Sequence, residues 1–332
     1  MIRGKHLGLA LWGTEPIEAM VRHVRLAEAI GFDSVWIIDS QLLCREVTVT
    51  LAACLAATTR VRVATGVTQA ATRHVSVLAS AMATLAEMSG GRAILGLGTG
   101  FSSLRTIGLP AVRIAALERD IGSLRTLLRG EPVVFVGDVA GRLSWLSEPA
   151  AVPIVVAATG PRVTRMAARC ADGVILHQGL STDLLDRALG WVRDGRGMAP
   201  QPEISCWAPY SLGATATEAR DRVRARVAGA LVNANPGWFA GAEREAVERL
   251  QAVYDVSHHA SAAPDHAALV PDSLVERYAL AGTTDELQQQ LSRLLNYPGL
   301  DRVILTPQVI GPGAMPLETV LNDLDSQVLS RL

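Results

Sequence analysis

Short apolar runs with no polar alternation recur along this 332-residue chain, each followed by a helix-length pattern. Ser34-Val35-Trp36-Ile37-Ile38 is the clearest of them. A strand that is apolar on both faces must be covered on both faces, the condition of a parallel sheet enclosed by helices. The spacing predicts strands at 6–11, 34–38, 61–67, 93–97, 154–158, 173–177, 203–209 and 302–306. Between them it predicts helices at 16–30, 47–57, 73–87, 112–128, 161–170 and 182–192, with a closing helix at 317–329. Pro16 suits a first helical turn and Gly31 a helix stop. Eight such units without a linker predict an α/β fold, a single (β/α)8 TIM barrel over 1–332. The competing open doubly wound sheet lacks its signature, since no G-x-G-x-x-G follows the first strand.

Two stretches break the rhythm. Residues 130–152 read as a small insertion, a hairpin around Val136-Gly137-Asp138. Residues 214–295, between strands seven and eight, are mostly helical and too long for one crossover helix. They contain Pro236, Pro264, Pro271 and the pair His258-His259, and they predict a helical insertion or lid. Hydrophobic residues make up 49% of the chain and aromatics only 4%, so the core must be built from Ala, Leu and Val. The net charge is -1 with no basic stripe, which argues against nucleic acid as a partner. No 18-residue apolar run and no signal-peptide shape occur, so a cytoplasmic protein with no membrane partner is expected. Cys44, Cys54, Cys170 and Cys206 form no C-x-x-C pair, and no metal site is expected.

In a barrel the strand C-termini carry the site. Strand two ends at Asp39-Ser40, strand three at Gly66-Val67-Thr68 and strand four at Gly98-Thr99-Gly100-Phe101. Strand five ends at Ala158-Thr159-Gly160-Pro161, strand six at His177-Gln178 and strand seven at Trp207-Ala208-Pro209. Glycine has no Cβ, so Gly98 and Gly100 let a flat ring approach the main chain. Pro161 suits the first position of a helix whose free amides can bind a phosphate, with Arg162 nearby; an ordinary βα turn reads the same way. Asp39 can receive donors from a ligand or anchor a neighbouring loop. His177 can give a proton near pH 7, or be hydrogen-bonded in the barrel rim. His74 reads as a cap or packing residue, and His258-His259 as solvated or interdomain residues.

Several stretches together resemble the luciferase-like flavin and deazaflavin oxidoreductases. They are Ala29-Ile30-Gly31-Phe32-Asp33-Ser34-Val35-Trp36-Ile37-Ile38-Asp39, Gly66-Val67-Thr68, Thr72-Arg73-His74, Leu95-Gly96-Leu97-Gly98-Thr99-Gly100, Ala157-Ala158-Thr159-Gly160-Pro161 and Ala171-Asp172-Gly173-Val174. The similarity is greatest to the branch that uses coenzyme F420, which includes methylenetetrahydromethanopterin reductase and F420-dependent glucose-6-phosphate dehydrogenase. The resemblance implies a barrel with the deazaflavin ring across the strand ends. It implies a bulge with a non-prolyl cis peptide at Gly66-Val67 behind that ring. It also implies cofactor contacts from Asp39, Gly98, Thr99 and Gly100, a phosphate held at Ala158, Thr159, Gly160 and Pro161, and His177 and Gln178 bordering the ring. Such proteins are commonly dimers, and the Ala-rich helices near 51–57 and 79–86 offer faces for a homodimer.

The chain departs from that branch where it has Ser40 in place of a frequent His and Phe101 in place of a frequent acid. Oxidation of a sugar phosphate is therefore not expected. The expected reaction is a reduction: hydride from reduced F420 to a C=C or C=N bond of a small, fairly apolar metabolite. His177, Ser40 or water gives the proton, and Phe101 and Trp207 shape the substrate side. The alternatives are an FMN-dependent monooxygenase on the same barrel and a non-catalytic flavin- or deazaflavin-binding protein.

Overall fold

The computed structural model describes residues 6–255, 265–308 and 315–332. His258, His259 and Pro264 lie outside them. Eight parallel strands close into a barrel: β1 (His6–Trp12), β2 (Ser34–Ile38), β3 (Arg62–Thr65), β4 (Ala93–Leu97), β5 (Ile154–Ala158), β6 (Gly173–Leu176), β7 (Glu203–Leu212) and β8 (Arg302–Pro307). Each pairs with the next, and β8 returns to β1 with Leu9 opposite Leu305. The pleat divides the apolar residues between two cores. Leu9, Leu11, Val35 and Ile37 meet the surrounding helices. Ala10, Trp36, Ala64, Ile94, Val155, Ile175 and Ile304 fill the barrel, with Trp207 of β7 against them. A single fully buried Trp36 fills much of that interior, which is how a chain so poor in aromatics closes it.

The helices α1 (Ile17–Ile30), α2 (Val47–Ala56), α3 (Val75–Ser89), α4 (Ile114–Leu128), α5 (Pro161–Cys170) and α6 (Thr182–Arg196) wrap the outside. Gly31 ends α1 in the left-handed region, and the His74 ring caps α3 by accepting from the Ser76 amide. The 130–152 segment carries a two-stranded hairpin, Val133–Val134 with Ala140–Gly141. Among the described residues no helix is long and apolar enough to cross a membrane.

Within 214–295, helices α7 (Ala216–Leu231), α8 (Gly241–Val253) and α9 (Asp272–Tyr278) bury Val223, Val227, Val247, Leu250, Leu274 and Val275 in a core of their own. From Leu280 on, the stretch belongs to the barrel. Leu280–Gly282 is a short strand paired in parallel with the end of β7, Tyr210 opposite Leu280. It extends β7 past Pro209 to Leu212, three residues beyond the expected end. Helix α10 (Thr284–Leu295) opens with a Thr283–Glu286 capping box and buries Leu287, Leu291 and Leu294 in the outer core. Three residues without alternation leave no periodic signal, so this strand was not legible in the sequence.

The join between β3 and β4 sets the floor of the barrel mouth. Their backbone ladder covers only Val63 with Ala93 and Ala64 with Ile94. The Thr65 side chain then replaces it: its hydroxyl accepts from the Gly96 amide at 2.9 Å and donates to the Gly96 carbonyl at 2.7 Å. The peptide Gly66–Val67 that follows is cis, and the chain rejoins β4 where the Gly98 amide donates to the Thr68 carbonyl at 2.9 Å. The expected strand 61–67 thus stops at Thr65. Val67 turns back over β4, where a Cβ on Gly98 would lie 2.7 Å from Val67 Cγ2. A Cβ on Gly96 would collide with the Thr65 carbonyl oxygen. Gly96 and Gly98 therefore admit the bulge, a role the sequence did not suggest for them. Gly96→Ala is expected to cost about 3 kcal/mol or more in urea unfolding, the range of core overpacking against backbone; a loss under about 1 kcal/mol would show that β3 yields.

Candidate active site

A cleft of about 1210 Å³, open mouth included, lies at the C-terminal ends of the strands. Its walls include Asp39 and Ser40 after β2, Gly66 and Val67 after β3, and Gly98, Thr99, Gly100 and Phe101 after β4. Thr159 after β5, His177 after β6 and Trp207 of β7 complete the expected set. Ala158, Gly160, Pro161 and Gln178 do not line it. Ala158 points outward into the helix-facing core. Gln178 is buried, with its Nε2 donating to Thr164 Oγ1 of α5 at 3.2 Å. Gly160 and Pro161 shape the start of α5 with their backbone, where Gly160 is the cap residue and no side chain caps the helix.

Trp12, Arg226, Asn233 and Thr306 also line the cleft. Thr306 is the penultimate residue of β8, so the strand-end rule could have found it. Arg226 could not be found that way, because it reaches the cleft from insertion helix α7.

The charged groups are arranged by the loops. Asp39 is buried and accepts from Thr68 Oγ1 at 2.6 Å, Arg73 Nη1 at 2.7 Å and Gln41 Nε2 at 3.2 Å. Both carboxylate oxygens are thus met by protein donors, and Asp39 ties the ends of β2 and β3 to the loop before α3. Burial opposes the charge on Arg73, but the Asp39 and Glu46 carboxylates outweigh it and raise its pKa. The Ser40 and Ser102 hydroxyls lie 2.6 Å apart. Phe101 packs against Tyr254, with 6.3 Å between ring centroids, and so carries the insertion over the β4 end.

His177 presents its ring to the edge of Trp207, with centroids 6.3 Å apart. Burial lowers its pKa to about 4, so at pH 7 it is neutral and holds no imidazolium proton to give. Folding depresses this pKa below the usual 6.5. The unfolded chain therefore takes up a proton that the folded chain refuses, and stability falls as pH drops from about 6.5 toward 4. The His177 ring resonances are expected to titrate near pH 4, and His177→Phe to flatten that part of the stability profile. A midpoint near 6.5 would mean that the ring is open to solvent.

With this barrel and cleft, the chain belongs to the luciferase-like monooxygenase family, whose model matches residues 4–302. It is 29% identical over 317 residues to a 5,10-methylenetetrahydromethanopterin reductase of Methanolobus tindarius, covering 92% of this chain and 94% of that one. An F420-dependent glucose-6-phosphate dehydrogenase of Nakamurella multipartita is 37% identical over 187 residues, 51% of this chain and 55% of the relative. Among solved structures, the coenzyme F420-dependent tetrahydromethanopterin reductase of Methanopyrus kandleri superimposes with a TM-score of 0.78 at 20% identity, covering 99% of each chain. That last likeness is one of fold.

Proposed function

We propose that this protein is an F420-dependent reductase acting on a C=C or C=N bond of a small molecule. The observation that carries the reading is the conjunction of two features at neighbouring strand ends of one cleft. One is the backbone wall of Gly66–Val67 and Gly98–Gly100. The other is the uncapped start of α5 behind Thr159 and Val163. The wall suits a flat ring, and the free amides of α5 suit a phosphate. Exposed Arg162, with no ion pair among the described residues, adds a cation there. The residues present therefore fit a deazaflavin with a phosphorylated side chain, and full-length similarity to a reductase of this kind supports the choice.

When bound and reduced, F420 supplies a hydride, which carries two electrons to one end of the double bond while a proton completes the other end. The protein holds the acceptor and orders the proton path. Neutral His177 offers an N–H hydrogen bond, and Ser40 an O–H through its contact with Ser102. The proton itself comes from water, since neither group is a strong acid at pH 7. Phe101 under Tyr254 supplies no acid or base, which suits reduction better than alcohol oxidation. Helices α2 and α3 leave Val49, Val77 and Met88 exposed, which supports a homodimer contact on that side.

Titration of the purified protein with F420 and with FMN, followed by fluorescence, tests the reading. F420 is expected to bind at least about 100-fold more tightly, a difference of about 2.7 kcal/mol. Stoichiometric FMN carried through purification would overturn it in favour of a flavin monooxygenase.

A further inference from the structure

The cleft has an electrostatic feature apart from the start of α5 and the glycine wall. Helix α7 turns Ala225, Arg226, Gly229 and Ala230 toward it. On that face only Arg226 extends past Cβ, so the small neighbours leave space around one guanidinium. Arg226 is the only Lys or Arg among the described residues that line this cleft. Its Cζ lies 4.5 Å from the centroid of the Trp12 ring, and its Nε donates to Gln308 Oε1 at 3.0 Å. No carboxylate among the described residues pairs with it, and neither terminal nitrogen has a protein acceptor there. Burial lowers its pKa to about 10, with Tyr254 and Cys44 acting the other way, so it remains a cation at pH 7.

A half-buried cation held by a ring face and a neutral amide has, among the described residues, none of the counter-charge that such groups normally have. The Gln308 bond uses Nε and fixes the plane of the fork. Nη1 and Nη2 are left side by side, a match for the two oxygens of a carboxylate. The same end of the cleft holds Thr306 Oγ1, a buried hydroxyl with no partner among the described residues. Asp39, the acidic residue in the lining, is already neutralised by Arg73.

The position separates this cation from the start of α5, the site proposed for the cofactor phosphate. Arg226 stands over Trp12 of β1 and is bonded to Gln308, two residues past Thr306 of β8, whereas the start of α5 follows β5. In a ring of eight, β1 and β5 are opposite each other. One cation also suits a monoanion better than a phosphomonoester, which carries nearly two charges at pH 7.

We propose that Arg226, with Thr306, recognises a carboxylate of the substrate, so that the acceptor is a small monocarboxylate carrying its C=C or C=N bond on an apolar body. The carboxylate fills the place of the missing counter-ion, and Trp12, Ile38 and Trp207 offer apolar walls beside it. This substrate class rests on the reductase reading, whereas the anion site itself does not.

The test uses trans-cinnamate and trans-cinnamamide, probes of one shape that differ in charge, titrated calorimetrically into the F420-loaded protein. The wild type is expected to prefer the acid by at least about tenfold, the scale of one charge-assisted hydrogen bond. R226Q is expected to abolish the preference, R226K to keep part of it, and T306V to weaken it, all with F420 affinity within about twofold of wild type. Equal affinity for the two probes in the wild type, no detectable binding of the acid, or a preference retained in R226Q would overturn the proposal. So would loss of F420 binding in folded R226Q, which would make Arg226 a cofactor ligand. If R226Q does not fold, a full preference retained by both R226K and T306V overturns it. If the wild type binds no F420 but still prefers the acid through Arg226, the reductase reading fails and the anion site stands.

Discussion

The Thr65 hydroxyl that bridges the amide and carbonyl of Gly96 is the contact on which the site depends. A parallel ladder needs a backbone donor and acceptor at each step, and at this point β3 supplies neither. One side chain meets both needs of Gly96 and frees the next two residues from pairing with β4, while the Gly66 amide stays bonded to the Ile37 carbonyl of β2. Gly66 and Val67 can then stand out from the strand and form the floor of the cleft. Without that bridge, the buried Gly96 amide would be left unpaired, at a cost of about 1–3 kcal/mol, while its carbonyl would keep the Thr68 amide at 2.9 Å. The glycines of β4 serve the same purpose, because a side chain there would meet Val67 or the Thr65 carbonyl.

Around that floor the molecule divides its tasks by strand. The β2 and β3 ends are tied by Asp39 and Arg73, so this part of the rim is held by an internal ion pair. The β5 side offers unclaimed backbone amides. The β1 and β8 side lies under α7 and holds a guanidinium with no carboxylate partner among the described residues. An anion is thus welcome at two opposite places, for different reasons: helix amides at one, a fixed side-chain charge at the other. The insertion makes this possible by folding around a core of its own, which lets α7 sit over the mouth without disturbing the barrel.

Much of this was legible in the sequence. Unalternating apolar runs placed all eight barrel strands, and the strand-end rule found Asp39, Ser40, Thr99, Phe101, Thr159, His177 and Trp207 in the cleft wall. It misjudged the side chains whose direction depends on pleat or packing. Ala158 follows the pleat outward, and Gln178 turns to Thr164. Neither outcome is written in residue type or spacing. The charge state of His177 was likewise hidden, because desolvation is set by neighbours remote in sequence.

The sequence by itself determined the barrel, its order of strands and the places where a ligand meets the strand ends. These follow from local periodicity and from the turn chemistry of Gly and Pro, which act over a few residues. Only the tertiary structure decided which glycines admit a bulge, which carboxylate is already neutralised, and that an arginine from a distant insertion lies over the β1 end. Each of these is a meeting of residues from different units, and a chain's local pattern carries no record of what it will be packed against.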